Sequence, residues 1–294
     1  MKFKNLLYRD SVWAFIFLLP NFIGFLMFLL IPLAVSFFLS FTEWDLMTPI
    51  QWVGSANYIE LFKDKTFLKS LWNTIYFTIG TVPLGIIISL FLALALDQGI
   101  KGVKIYRAAF FLPVIASMVA VSLVWMWIYN PEYGLLNYFL SIIGIKGPRW
   151  LSSVNWAMPA LIITSIWRGL GFNMLLFLAG LQGIPKSYYE AADIDGAKWF
   201  SKFLYITIPL LFHTTIFVVV ISLINSFQGF DSVYLMTSGG PARTTSVLVY
   251  YLYQNAFQYF RMGYASAIAY VLFFLMLFFT LILLRWFQKK RVIF

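Results

Sequence analysis

Residues Ser165 to Asn173 read SIWRGLGFN, and Ser222 to Asp231 read SLINSFQGFD. Both stretches lie inside long apolar runs, where polar side chains are costly and are retained mainly for function. The first offers Trp167, Arg168, Gly169, Phe172 and Asn173; the second offers Ser222, Asn225, Ser226, Gln228, Gly229 and Asp231. Amides, hydroxyls and charges can hydrogen-bond the hydroxyls of a polyol, while aromatic rings cover its C–H faces. The set therefore suits a polyhydroxylated ligand held without covalent chemistry. Ser222, Asn225, Ser226 and Gly229 fall near one helical face by their three- and four-residue steps. A second reading stays open for each, because Ser, Asn and Gly also let helices pack closely in membranes.

Arg168 is the sharpest single residue. A guanidinium inside an apolar span should face a cavity or a partner, not lipid. Asp231 is one candidate counter-ion, although it sits nearer the outer surface; an acidic group on a bound substrate is the other. His213, near the inner end of its span, reads as interfacial. Tyr250, Tyr251 and Tyr253 read as an outer aromatic belt or as a face that receives another protein.

A different concentration of charge occurs at Tyr188 to Phe203, YYEAADIDGAKWFSKF, between two of the apolar runs. Ser187 followed by Glu190 has capping-box spacing, predicting a short helix over Tyr188 to Ile194. Gly196 suits a left-handed cap that ends it, and Ala197 to Tyr205 predicts a second short helix. Two small helices around a glycine make a knob. Ala191 and Ala192 keep its surface low, so another protein's walls can approach; a solvated connector is the plainer alternative.

These groups need elements to hold them. Hydrophobic residues are 62% of the chain, more than a soluble domain of this length can bury, which places it in a membrane. There is no cysteine and one histidine, which excludes disulfides, thiolate zinc and multi-histidine metal sites. No nucleophile–base pair stands out. Six stretches are long and apolar enough to span: roughly 11–41, 68–96, 105–129, 156–181, 206–236 and 264–286. Continuous runs of this length predict helices rather than a barrel. The first is read as a retained span, since its apolar run is too long for a signal peptide and lacks an A-x-A-like cleavage site. A short surface helix is expected near SANYIELF. With the N-terminus inside, inner segments hold thirteen Lys and Arg against seven outside, with Arg168 left within a span. Residues such as Lys2, Lys4, Arg9, Lys289, Lys290 and Arg291 contribute to that bias. Both termini, and the knob, are then cytoplasmic. The net charge of +10 follows these flanking segments and points to anionic lipid, not nucleic acid. The chain reads as a single transmembrane domain, 1–294.

Glu190-Ala191-Ala192, then Asp195-Gly196-Ala197, then Ile206, Ile208 and Pro209 together resemble the EAA motif of ABC importer permeases, in the maltose, multiple-sugar and glycerol-3-phosphate branch. WVGSANY (Trp52 to Tyr58), NPEYGLLN (Asn130 to Asn137), Gly239-Gly240-Pro241 and Gly263-Tyr264-Ala265-Ser266-Ala267 are similar to that branch too. Ile208, where leucine is usual before the proline, is a mild departure. The resemblance implies an all-α fold of six transmembrane helices, the type I importer permease, in a bacterial or archaeal cytoplasmic membrane. It implies a coupling loop at 183–205 that inserts into a cytoplasmic ATPase, and a substrate path lined by the fourth and fifth spans. The implied partners are a second homologous permease, two ATP-binding subunits and an extracytoplasmic solute-binding protein. ATP and Mg would sit on the ATPase, since G-x-x-x-x-G-K-[ST] is absent here, and this chain would need no cofactor. The implied cargo is a di- or oligosaccharide, with glycerol-3-phosphate or an acidic sugar as the alternative. An ion-coupled secondary transporter is the more distant rival; it should carry more buried acids and an inverted repeat.

Overall fold

The computed structural model describes residues 10–99 and 101–290, with side chains from 13 to 286 except residue 100. Lys2, Lys4, Arg9 and Arg291, and the side chains of Lys289 and Lys290, lie outside the described residues. In chain order the helices begin with α1 (Asp10–Phe25) and α2 (Ile31–Leu39), joined by a π turn at Leu26–Leu30. A two-stranded antiparallel ribbon follows, β1 (Thr42–Glu43) pairing β2 (Gln51–Trp52). Next come α3 (Ala56–Lys63), the expected surface helix; α4 (Lys65–Asp97); α5 (Val103–Ile115) and α6 (Met118–Ile128). The short α7 (Leu135–Ile142) leads to α8 (Ala157–Gln182), α9 (Lys186–Ile194), α10 (Trp199–Lys202) and α11 (Ile208–Leu210). The chain continues through α12 (Phe212–Phe227), α13 (Asp231–Met236), α14 (Leu248–Tyr253) and α15 (Met262–Lys290).

Four helical segments are long and apolar enough to cross a membrane, and two bent pairs bring the number to six if each is one span. The bends are what hydropathy does not show. The stretch 105–129 reads as one helix, but α5 and α6 meet at 101° across Ala116 and Ser117. The stretch 206–236 is bent by 66° at Leu211 and broken again at Gln228 to Phe230, so α13 is separate. Hydropathy records composition, and apolar residues flank each bend on both sides.

Prolines explain part of the irregularity. Pro32 and Pro209 each follow a π turn, Leu26–Leu30 and Phe203–Thr207. A proline lacks an N–H and crowds the carbonyl one turn back, and a single widened turn relieves that clash.

The described residues form two compact units. One takes the residues up to Lys63 with Leu252–Val271. Within it, Asn57 is buried and its Nδ2 donates to Ser40 O and Thr42 O, both at 2.9 Å. Arg261 Nη2 reaches Glu60 at 2.8 Å, and its guanidinium lies 4.3 Å from the Tyr264 ring centre. Asp45 accepts from the Met47 and Thr48 backbone N–H groups and the Thr48 hydroxyl, which holds its carboxyl down at about 2.

The other unit takes Asp64–Tyr251 with the residues from Leu272. Its packing centres on α4 against α8, where small residues let backbones approach. A Cβ on Gly171 of α8 would stand 2.0 Å from Phe110 O of α5, and one on Gly80 of α4 would stand 2.6 Å from Ile162 Cδ1. One core cluster gathers Phe77, Tyr129, Trp150, Leu161 and Val233; a second gathers Ala93, Met174, Phe177, Leu181 and Leu211. Asn73 Nδ2 donates to Arg243 O and Ser246 O, each at 2.9 Å, and Thr74 Oγ1 accepts from Leu248 N at 2.8 Å. These bonds tie α4 to the loop before α14. Asn73 is 2% exposed, so its loss leaves two carbonyls without their donor. Asn73→Ala is expected to destabilise by about 1–3 kcal/mol, read as a lowered detergent melting temperature; an unchanged value would show that the clasp contributes nothing.

Candidate functional site: a polar cavity and an exposed knob

A cavity of about 380 Å3 opens within the larger unit, between α4, the α5–α6 bend, α8, α12 and the start of α13. Ten of the eleven residues nominated for a substrate path line it: Arg168, Gly169, Phe172 and Asn173 from α8, and Ser222, Asn225, Ser226, Gln228, Gly229 and Asp231 from α12 and the turn after it. Trp167 does not. It turns the other way and meets Trp125 edge-on, with ring centres 5.5 Å apart.

Inside the cavity the polar groups divide by what they touch. Asn173 Nδ2 donates to Ser222 Oγ at 3.1 Å, bridging α8 and α12. Ser226 is buried, with its hydroxyl 2.8 Å from Leu223 O and 3.0 Å from Thr78 Oγ1; it fastens α12 to α4. Asn225, Gln228 and Asp231 are exposed to the opening. The break at Gln228 to Phe230 has a local cause. Gly229 lets the chain pass the Phe77 ring, where a Cβ would be 3.0 Å from Phe77 Cε1.

Arg168 sits near the middle of α8, a 26-residue helix. Its Nε is buried and has no hydrogen-bond partner. The suggested pairing with Asp231 is not formed: neither Arg168 nor Asp231 belongs to an ion pair among the described residues. Asp231 opens a separate helix beyond the break, so it does not share the register of α12.

Sequence reasoning missed the α4 wall, Phe77, Thr81, Val82 and Gly85, and the residues Val114 and Met118 beside the α5–α6 bend. A signal existed for α4. Thr74, Thr78 and Thr81 place hydroxyls along one side of an apolar run, a pattern that reads equally as helix glue. Tyr250 and Tyr251 are corrected as well, being 4% and 7% exposed. Tyr250 packs in the core, with Phe230 at 6.3 Å between ring centres, and the Tyr251 hydroxyl donates to Asp64. Neither forms an outer belt. His213 is exposed and lies edge-on to Phe212; no group of three or more metal-binding side chains occurs among the described residues.

The knob is built as two helical pieces around a glycine, with one correction. The first piece starts at Lys186 with Pro185 as its N-cap, and no side chain caps it. The Ser187–Glu190 capping box is therefore not formed: proline presets the entry, and Ser187 is already inside the first turn. The end of the helix follows expectation. Gly196 has φ +74°, Gly196 N donates to Asp193 O at 3.0 Å and Ala197 N to Ala192 O at 2.8 Å. This is the paired-bond Schellman end, which needs a left-handed residue. The second piece, α10, is shorter than the span 197–205 and passes into the π turn before Pro209.

The base of the knob is anchored and its outside is bare. Tyr189 OH lies 3.0 Å from Thr207 Oγ1, and Lys202 Nζ lies 2.6 Å from Asp193 Oδ1. Glu190, Ala191, Asp195 and Gly196 are exposed, with Ala192 and Ala197 half-buried. Ile194 is 88% and Tyr205 75% exposed, with Phe200 at 64%, an apolar surface of the kind that marks contact with another protein. The Lys202–Asp193 pair has one half-open partner, and such pairs are worth about 0–1 kcal/mol. Asp193→Asn is expected to leave expression and melting temperature unchanged; a loss of several degrees would show that the pair organises the knob.

Long apolar helices around a polar cavity, with a helical knob beyond their ends, define a membrane permease. Residues 53–293 match the family described as "Binding-protein-dependent transport system inner membrane component", and the chain belongs to that family, the membrane component of ABC importers. A probable ABC transporter permease protein, YesP, of Bacillus subtilis (strain 168) is 39% identical over 97% of this chain and 93% of its own length. The arabinooligosaccharides transport system permease protein AraP of the same organism is 35% identical over 96% of this chain and 90% of its own. Among solved structures, a bacterial ABC transporter involved in import of the acidic polysaccharide alginate superposes with a TM-score of 0.85 at 25% identity, over 98% of this chain and 99% of that one. The fold is that of the type I importer permease.

Proposed function

We propose that this chain forms one side of the translocation path of an ATP-driven, binding-protein-dependent importer for a di- or oligosaccharide. The observation that carries the reading is the cavity: amides, hydroxyls and aromatic rings converge in a volume of about 380 Å3, within the ~300–1,000 Å3 usual for small-molecule sites. The relative named for arabinooligosaccharides and the structure named for alginate support a saccharide cargo. Phe172 and Phe230 offer apolar faces to sugar rings, while Asn225 and Gln228 hold unengaged amides toward the opening. A single acid, Asp231, lines the cavity, which fits poorly with ion-coupled transport.

In this reading the whole chain acts as one transmembrane domain in a bacterial or archaeal cytoplasmic membrane, with both termini and the knob on the cytoplasmic side. It pairs with a second, homologous permease and rests on two ATPase subunits, which hold the ATP and Mg. A solute-binding protein delivers the sugar; a related solved structure is a bacterial alginate ABC transporter in complex with an alginate pentasaccharide-bound periplasmic protein. The knob residues Glu190 to Ala192 and Asp195 to Ala197 seat in the ATPase. Closure of the ATPase dimer then rocks the helices behind the knob between inward- and outward-facing states.

The test is uptake by the reconstituted importer. The double variant Asn225→Ala, Gln228→Ala is expected to lower sugar uptake at least tenfold while ATP hydrolysis without sugar persists. Uptake at the parental rate would remove this cavity from the path.

A further inference from the structure

We propose that the transported saccharide carries an anionic group, a carboxylate, sulfonate or phosphate, and that Arg168 receives it. The inference rests on the saccharide reading above and narrows it.

Arg168 lies eleven residues after Ala157 and fourteen before Gln182, the two ends of α8; at 1.5 Å per residue that is about 16 Å and 21 Å from them. It is therefore near mid-membrane depth, where a charge without a partner is expensive. Its Nε is shut off from solvent and makes no hydrogen bond, no ion pair includes it, and its other nitrogens donate to no described residue. The guanidinium nevertheless borders the cavity. A guanidinium is planar, always charged and matched in geometry to two oxygens of an oxyanion. What it lacks is that oxyanion, and no described residue of the unit supplies one. Asp231, the other charged residue lining the cavity, belongs to α13 beyond the break and does not reach it.

The two charges, unpaired within one cavity, also give it a polarity. An acidic sugar placed with its anion on Arg168 keeps that anion away from Asp231, whose carboxylate can accept from hydroxyls at the neutral end. A neutral sugar would leave the guanidinium facing the cavity without an anion, its Nε still unanswered. Phe172, one turn further along α8, supplies the ring face beside the anion.

The experiment uses the whole importer with its partner subunits and binding protein, in ATP-loaded proteoliposomes. Three matched pairs serve as probes: digalacturonate and galactobiose, trehalose 6-phosphate and trehalose, sulfoquinovosyl glycerol and glucosyl glycerol. At least one acidic member is expected to enter ten times faster than its neutral twin. Arg168→Gln should erase that preference, and Arg168→Lys, which keeps the charge, should retain most of it and shows that the position tolerates change. Equal or faster entry of the neutral twins overturns the inference and leaves the saccharide reading standing. An acid preference that survives Arg168→Gln overturns it too, placing the selection in the binding protein. So does an equal loss of acidic and neutral uptake in Arg168→Gln, which would assign the arginine to a partner subunit's acid. If none of the six sugars enters, both the inference and the saccharide reading fall.

Discussion

Glu190→Ala and Gly196→Val should each abolish ATP-driven uptake while the chain still inserts and assembles with its second permease. The two act differently. Glu190 is exposed and available to a basic group of the ATPase; truncating one partner of a desolvated interfacial charge pair costs about 2–5 kcal/mol, and each ~1.4 kcal/mol is a tenfold loss of affinity. Gly196 has no neighbouring atom within 4 Å of an added Cβ, but its φ is +74°. The obstacle is backbone conformation, which costs about 1–2 kcal/mol for a residue with a side chain and more for a β-branched one. The valine substitution would pull apart the bonds from Gly196 N and Ala197 N, and the knob would lose its end. Gly196→Asn, which tolerates the left-handed region better, should recover part of the uptake. Parental uptake in Glu190→Ala and Gly196→Val together would end the coupling role.

Gly171→Val should prevent the folded permease from accumulating at all. The added Cβ would lie 2.0 Å from Phe110 O, 2.6 Å from Phe110 C and 2.8 Å from Phe111 Cα. All three are backbone atoms, so no rotamer change can relieve the clash, and α5 must move off α8. Overpacking costs about 1–3 kcal/mol even where side chains can adjust; here the expected readout is loss of the monodisperse peak in size exclusion. Gly169→Val is the control, because nothing lies within 4 Å of its Cβ. A normal peak from both variants would mean that the α5–α8 contact is looser than this geometry.

The sequence carried the spans and most of the cavity, and the reason is physical. A polar residue in an apolar run has few tolerable environments, so Arg168, Asn173, Asn225 and Gln228 announced a shared interior before any fold was known. What stayed hidden was what depends on neighbours. Trp167 sits beside Arg168 in the sequence but projects about 100° further round the helix, against Trp125. Tyr250 and Tyr251 look like interface residues by type and are buried by packing. Ser187 has capping chemistry, yet Pro185 begins the helix first. The 101° turn between α5 and α6 falls at Ala116 and Ser117, whose types say nothing of a bend. The α4 wall of the cavity was concealed for the opposite reason, because its threonines fit two roles equally well.

The knob keeps its shape through main-chain bonds and one left-handed glycine, while Ile194, Phe200 and Tyr205 point outward without holding it together. Form and address are thus separable. Under the proposed coupling role, exchanging the outward side chains would leave the fitting intact and change only which motor accepts it. A cell with several importers of this build could let them draw on one common ATPase, or segregate them, by drift at a handful of surface positions.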